Sequence, residues 1–175
     1  IVVHGADNIQ KAEETKSIIE QKGGVAEVLV CDLTDLDKTR KLCDKIGNID
    51  VLILNASLQY RTPWQKITVD ECYKQLNCNF VSSMMLIQAT VDNMKNKKWG
   101  RIVTIGSVNQ YRQHPALIFY SATKCAVMSI IKSMKAGKSA VKITKEYLLS
   151  RGWTTDDALM YAPRKAHNKN ELFLR

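Results

Sequence analysis

The 175-residue sequence has little of what marks several large functional classes. No apolar run approaches the about 20 residues that a membrane-spanning helix needs. No basic, apolar and small-residue succession of a signal peptide is present either. There is no Cys-x-x-Cys pair, and His4, His114 and His167 lie apart from one another and from the cysteines in sequence. Metal-ligand spacing is therefore missing, and no metal is expected. The five cysteines, Cys31, Cys43, Cys72, Cys78 and Cys125, are odd in number and scattered. That pattern suits reduced thiols in a cytoplasmic protein, several of them packing as small hydrophobes. Internal repeats and low-complexity segments are absent. The first residue is Ile1 rather than Met, which reads as a portion of a chain whose natural N-terminus lies upstream.

What is present describes a globular domain. Hydrophobic residues make up 45% and charged residues 25%, and the length suffices for a real core. The formal charge is +9, and residues 135–175 hold nine Lys/Arg against four Asp/Glu, so more than half of the excess lies in that tail. Basic surfaces attract nucleic acid, anionic membrane or phosphate-bearing cofactors, but most charge runs are solvated faces. Neither a membrane nor nucleic acid is expected as a partner.

Four short apolar runs, at 1–3, 25–30, 51–54 and 102–105, are rich in β-branched residues and too short for helices. Their continuous apolarity predicts burial on both faces, as in a parallel sheet. Amphipathic stretches lie between them. The first, 8–22, ends at Gly23-Gly24; the second, 36–46, has Asp35 to cap it and Gly47 to stop it. A long helix is read over 69–94 with Thr68 as its cap, and a buried one over 120–134. The segment 95–98 reads as an exposed helix-to-strand turn. Strand alternating with helix gives an α/β fold with a parallel sheet. Residues 135–175 break this rhythm. There, 141–149 reads as a helix, and Thr154 or Thr155 caps another that Pro163 ends. The expected organisation is a domain over 1–134 and a basic helical tail over 135–175.

The chemistry sits in Tyr120-Ser-Ala-Thr-Lys124. Positions i and i+4 share a helix face, and a cation beside a phenol favours the phenolate. Alone the pair is common, and two residues on a solvated face are the default reading. Ser107 lies thirteen residues earlier, just past the run 102–105. Open α/β sheets bind ligands at the carboxyl ends of their strands, so its hydroxyl is placed to meet a substrate oxygen. A turn-forming serine is the competing reading.

Taken together, Gly100-Arg-Ile-Val-Thr-Ile-Gly-Ser107 and Tyr120-Ser-Ala-Thr-Lys-Cys-Ala126 resemble the catalytic core of the short-chain dehydrogenase/reductase family. Ile49-Asp-Val-Leu-Ile-Leu-Asn-Ala-Ser57 resembles the family's strand 4 and its Asn-Asn-Ala-Gly motif, with Leu54 and Ser57 as departures. Cys31-Asp-Leu-Thr34 resembles the end of strand 3, and Asn77-Cys-Asn-Phe80 the helix of the catalytic Asn. The resemblance runs over about 1–134. Its branch looks closest to the 3-oxoacyl-carrier-protein reductases and sugar-alcohol dehydrogenases.

The resemblance implies a Rossmann-like, doubly wound parallel sheet and interconversion of a secondary alcohol and a ketone with NAD(P). Tyr120 is then the general acid/base. Lys124 favours its phenolate and holds the nicotinamide ribose, and Ser107 polarises the substrate carbonyl. Asn79 kinks its helix and holds a water of a proton relay. Asp32 and Leu33 belong to the adenine pocket, and Asn55 and Ala56 to the cofactor cleft. Ser57, standing where the family has Gly, is expected to narrow that cleft. The competing readings are an Asp32 that caps its own turn and a buried Asn55 satisfied by backbone.

His4 follows the run 1–3, where a basic residue would accept a 2′-phosphate. This tips the choice slightly to NADP over NAD, although His4 also reads as a satisfied strand-end residue. Residues 110–114, Gln110 to His114, follow Ser107 as a polar loop at the substrate mouth. Partners implied are a small carbonyl or alcohol substrate and a second copy of the chain, through 69–94 and 120–134.

Two parts of the family pattern are missing. No Gly-x-x-x-Gly-x-Gly turn occurs, although that turn presents N–H groups to the cofactor pyrophosphate. The family's strand 1, which carries it, is missing too, so the strands on either side lack a neighbour. Strand 6 is not found. The expected sheet is partial, and these residues alone are expected to bind NAD(P) poorly. A truncated, non-catalytic remnant that works by associating with homologues is the alternative.

Overall fold

A computed structural model describes residues 1–46, 48–112, 114–136 and 142–147, the last for backbone only. In chain order the elements are β1 (Val2–Gly5), α1 (Ile9–Gln21), β2 (Glu27–Val30), α2 (Leu36–Lys45), β3 (Val51–Leu54), α3 (Val69–Leu76), α4 (Ser82–Asn96), β4 (Arg101–Gly106), α5 (Ile118–Ala136) and β5 (Lys142–Tyr147). Strand and helix alternate as the sequence pattern predicts.

Local chemistry sets the boundaries. Asn8 caps α1 through its side chain, which accepts from the Lys11 amide. Gly23 turns at φ +80, and the amides of Gly23 and Gly24 close the helix onto Glu20 O and Ile19 O. That is the left-handed stop that favours glycine. Asp35 caps α2, accepting from the amides of Asp37 and Lys38. Thr68 and Glu71 form a reciprocal capping box at the start of α3. The long helix expected over 69–94 is real but interrupted: a π-helical turn, Asn77–Val81, joins α3 to α4.

All strand pairs are parallel, but the sheet comes in two pieces. β1 pairs with β2, and β3 pairs with β4. Among the described residues β1 and β3 each have one neighbour only, as expected where the family's strand 1 would stand. The core lies on one side of β3 and β4. It gathers Cys31, Leu33, Leu42, Ile46, Leu52, Leu54, Cys78, Leu86, Ile87, Met94, Ile102 and Ile131 from β2 to α5 into one cluster. Polar links bind the pieces as well, with Asn77 Nδ2 donating to Thr34 O at 3.0 Å.

Two expectations are corrected. Burial on both faces fails for three of the four runs: Leu52 and Leu54 are buried, whereas Val51 is 45% and Ile53 58% exposed, and Ile1, Val25 and Val30 are exposed in the first two runs. Continuous apolarity in the sequence marks strands that are covered on both sides, and the described helices cover only one side here. The second correction is the helix read over 141–149. Residues Lys142–Tyr147 instead form a strand, β5, parallel to β4 along its whole length. Ile143, Thr144 and Tyr147 favour extended backbone, and the open edge of β4 supplies partners that a helix reading ignores. The strand lacking after residue 134 is therefore present, and the sheet order β2-β1 and β3-β4-β5 is that of a doubly wound fold. The second tail helix, read around Thr154 to Pro163, lies outside the described residues, as do Gly47 and Gln113.

Candidate active site

The residues expected to carry chemistry collect at the carboxyl end of β4. Ser107 follows this strand directly and is 8% exposed. Its Oγ accepts from the Asn109 amide at 3.2 Å, which starts the 3₁₀ turn Val108–Gln110. The bond uses one lone pair and leaves the hydroxyl proton to donate. The turn-forming and functional readings of Ser107 thus coexist.

The first turns of α5 face this strand end, with Tyr120, Ser121, Thr123 and Lys124 all buried. Lys124 Nζ donates to Ile105 O at 3.1 Å, two residues before Ser107. The same ammonium lies 5.8 Å from the centroid of the Tyr120 ring. Burial pulls the Lys124 pKa below the ordinary lysine value, and the nearby Cys78 opposes this shift weakly. A desolvated cation beside a phenol is an effective partner for a developing phenolate, because little water screens it.

Asn79 reaches the site from the π-helical turn and is 2% exposed. Its Nδ2 donates to Leu58 O at 2.8 Å and to Thr123 Oγ1 at 3.0 Å. Its Oδ1 accepts from the Leu58 amide at 2.7 Å and from Ser57 Oγ at 3.3 Å. The amide is therefore spent on protein partners and cross-links the segment after β3 to α5. Its main-chain carbonyl accepts from Ser83 Oγ at 3.1 Å.

Asn79 is also the last rung of a ladder. Gln75, one turn earlier, accepts from the Tyr60 amide at 3.4 Å, and Glu71, one turn before that, accepts from Thr62 Oγ1 at 2.9 Å. A helix repeats a face about every four residues and an extended segment every two. Residues 71, 75 and 79 thereby hold residues 62, 60 and 58.

Asn55, Ala56 and Ser57 lie exposed just past β3. Exposed backbone at that strand end, with buried Lys124 nearby in the fold, fits the nicotinamide–ribose half of a dinucleotide. Asn55 is not the buried side chain of its competing reading. The Ser57 hydroxyl is turned onto Asn79, which is what its side chain does at the glycine position.

The adenine-side residues lie on the other half-sheet. Asp32 Oδ1 accepts from the Thr34 amide at 2.9 Å and from Thr34 Oγ1 at 2.8 Å, capping its own turn. Leu33 sends its side chain into the core, so it offers a ligand main chain. His4 Nε2 bonds Cys31 O at 2.8 Å across the two strands. A carbonyl only accepts, so Nε2 carries the proton, and an unprotonated Nδ1 accepts from a hydroxyl; it meets a phosphate only when it too is protonated. No group of three His, Cys, Asp or Glu able to hold a metal occurs among the described residues.

The loop read as a substrate mouth divides. Tyr111, Arg112 and His114 are exposed, whereas Gln110 is buried at 7% exposure. The sequence does not single out Thr123 as part of the site, and it places Gln110 only in the polar loop at the substrate mouth. Thr123 stands inside the Tyr-x-x-x-Lys span, where no residue type is demanded, and the polarity of Gln110 points to the surface. Only the fold shows that both bridge elements.

Comparison with known proteins agrees with this geometry. The family model described as short chain dehydrogenase matches residues 1–148, past the residue 134 at which the sequence motifs stop. Gluconate 5-dehydrogenase of Gluconobacter oxydans is 30% identical over 137 residues, covering 76% of this chain and 54% of that protein. The 3-oxoacyl-[acyl-carrier-protein] reductase of Buchnera aphidicola is 32% identical over 116 residues, 65% of this chain and 48% of its own. Among solved structures, a 3-oxoacyl (acyl-carrier-protein) reductase from Agrobacterium tumefaciens C58 with NADP bound superposes with a TM-score of 0.76 at 29% identity, covering 82% of this chain and 57% of that one. A gluconate 5-dehydrogenase from Burkholderia cenocepacia J2315 in complex with NADP and tartrate gives 0.73 at 26%, covering 84% and 60%. The chain thus spans about half to three-fifths of the length of these proteins.

Proposed function

Because the chain belongs to the short-chain dehydrogenase family, we propose that it forms the catalytic portion of an NADP-dependent oxidoreductase that interconverts a secondary alcohol and a ketone. One observation carries this reading: the buried Lys124 ammonium is pinned to β4 beside both the Tyr120 ring and the strand end that bears Ser107. The nicotinamide, when bound, supplies or takes the hydride. In reduction, the Ser107 hydroxyl donates to the carbonyl oxygen and polarises it. Tyr120 passes its phenolic proton to that oxygen as negative charge grows there. Lys124 stabilises the phenolate left behind. Asn79 keeps its helix opened into the π turn, and its carbonyl holds the water through which Tyr120 and Lys124 are reprotonated.

Lys124 and Tyr120 hold the nicotinamide ribose, Asn55 and Ala56 line the cleft, and Asp32 and Leu33 flank the adenine. NADP is favoured over NAD because two similar solved proteins are described with NADP. The substrate is a small carbonyl or alcohol of the oxoacyl or sugar-acid kind named for the relatives. Self-association runs through α3–α4 and α5, where Val69, Tyr73 and Ile118 are exposed. Five free cysteines fit a reducing compartment such as the cytoplasm. No helix among the described residues is long and apolar enough to cross a membrane.

The test uses the complete protein that carries this chain, with NADPH and a panel of ketones and sugar acids. Turnover is expected, and Tyr120→Phe is expected to lower kcat by about 100-fold or more while NADPH still binds. Unchanged turnover in Tyr120→Phe would overturn the assignment of the general acid.

A further inference from the structure

Gln110 closes the turn that follows Ser107, and its environment is unusual. Its amide donates to Ser107 O at 3.1 Å. Its Nε2 donates to Lys124 O at 2.7 Å. Its own carbonyl accepts from Cys125 Sγ at 3.6 Å. Its Oε1 is the one buried side-chain oxygen or nitrogen among the described residues without a hydrogen-bond partner.

These facts do not fit a residue kept for stability. Lys124 lies inside α5, where its carbonyl already has a helical partner in the ordinary i to i+4 pattern. The Nε2 bond is therefore not needed to satisfy the helix. A buried carbonyl oxygen without a donor is a cost, which Met or Leu of similar volume would avoid. Rotating the amide would face two acceptors against each other, so the orientation is fixed by Lys124 O. What the glutamine adds is a link. It joins the turn that bears Ser107 to the helical turn that bears Lys124, at both Lys124 and Cys125.

We propose that Gln110 is the positioning residue of this site, locking the Ser107 turn in register with the α5 face that carries Tyr120 and Lys124. The inference rests on the oxidoreductase reading above. Ser107 and Tyr120 must meet the same substrate oxygen, yet they stand on different elements with independent motions. A clamp between those elements holds both donors at hydrogen-bond distance from one atom, and an ångström of slack there is expensive.

The experiment compares Gln110→Met and Gln110→Glu with the wild type in the complete protein. For Gln110→Met, kcat should fall by about 10- to 100-fold. Its NADPH dissociation constant and thermal midpoint should stay at wild-type values, and the amides of 108–110 should exchange faster. Gln110→Glu should recover activity, relative to wild type, as pH falls, because only the protonated acid can donate to Lys124 O. Wild-type kcat in Gln110→Met, or a loss of kcat that tracks a lowered midpoint, would overturn the proposal. A wild type that turns over none of the ketones would strike the oxidoreductase reading instead. Hydrogen exchange then decides Gln110 alone: faster exchange at 108–110 in Gln110→Met supports the clamp, and unchanged exchange overturns it.

Discussion

Lys124 illustrates how one side chain ties function to stability. Its folded pKa lies below the 10.5 of an ordinary lysine because burial penalises the charge. Between the folded and the ordinary value the unfolded chain binds more protons than the native one, so folding stability gains as pH rises through that window. Below the window the penalty is present in full. Lys124→Met removes it, so the stability of the variant relative to wild type should be most favourable near neutral pH and should decline as pH approaches 10.5. The lost bond to Ile105 O offsets part of the gain at every pH and leaves this slope intact. Urea unfolding of both proteins across the range measures it; a difference that is flat or rises with pH would remove the burial argument. Such strain is expected where a residue is kept for chemistry rather than for packing. The sequence shows the pairing with Tyr120, because i and i+4 spacing is visible in it. It does not show Gln110, Thr123 or the Asn79 cross-link, because their partners are main-chain atoms and residues about 14 to 44 positions away.

At the level of elements, legibility followed local chemistry. Caps and stops are written in a few adjacent residues, so Asp35, Thr68 and Gly23 are readable and lie where expected. Two features were not. At the π-helical turn Asn77 and Asn79 reach out to Thr34 and Leu58; the periodicity of 69–94 does not announce this turn, and only the family resemblance implies a kink at Asn79. β5 was misread because helix and strand patterns are ambiguous over a short mixed run, and the deciding factor, the free edge of β4, is a property of the fold. The turn after α4 yields a sharper prediction. Lys98 takes φ 53 there, and Gly100 packs so closely that a Cβ would sit 2.5 Å from Met94 Cβ and Cγ. Met94 is completely buried, so it has nowhere to retreat. Gly100→Ala should therefore cost about 1–3 kcal/mol in chemical denaturation. If Gly100→Ala is neutral, the contact between α4 and the start of β4 is looser than described.

Among the described residues the whole molecule is a doubly wound sheet with an open seam between β1 and β3. In the parallel ladders, the Glu27 amide donates to Ile1 O and the Cys31 amide to Gly5 O, so the main-chain groups of Val2 and His4 face away from β2. In the same way the Arg101 amide donates to Asp50 O, which leaves those of Val51 and Ile53 facing away from β4. Side chains add to the exposure, with Ile53 58% and Val51 45% accessible. The proposed site straddles this seam: Tyr120, Lys124 and Ser107 lie on one piece, and His4 and Asp32 on the other. Cofactor affinity thus depends on the seam as well as on side chains, because a dinucleotide must bridge both pieces. The 175 residues also contain no Gly-x-x-x-Gly-x-Gly turn for the pyrophosphate. Two outcomes follow for the 175-residue chain by itself. Amides of Val51 and Ile53 should exchange quickly while those of Leu52 and Leu54 are protected, an alternation that a closed sheet does not give. NADPH should bind at least about 100-fold more weakly than to the complete protein, the loss of roughly 2.7 kcal/mol expected when several charge-assisted N–H contacts to a pyrophosphate are missing. Fluorescence titration of both chains is the measurement. Equal affinities would mean that residues 1–175 hold the pyrophosphate by a route other than a glycine-rich turn, and the positive end of a helix bordering the seam would be the place to look.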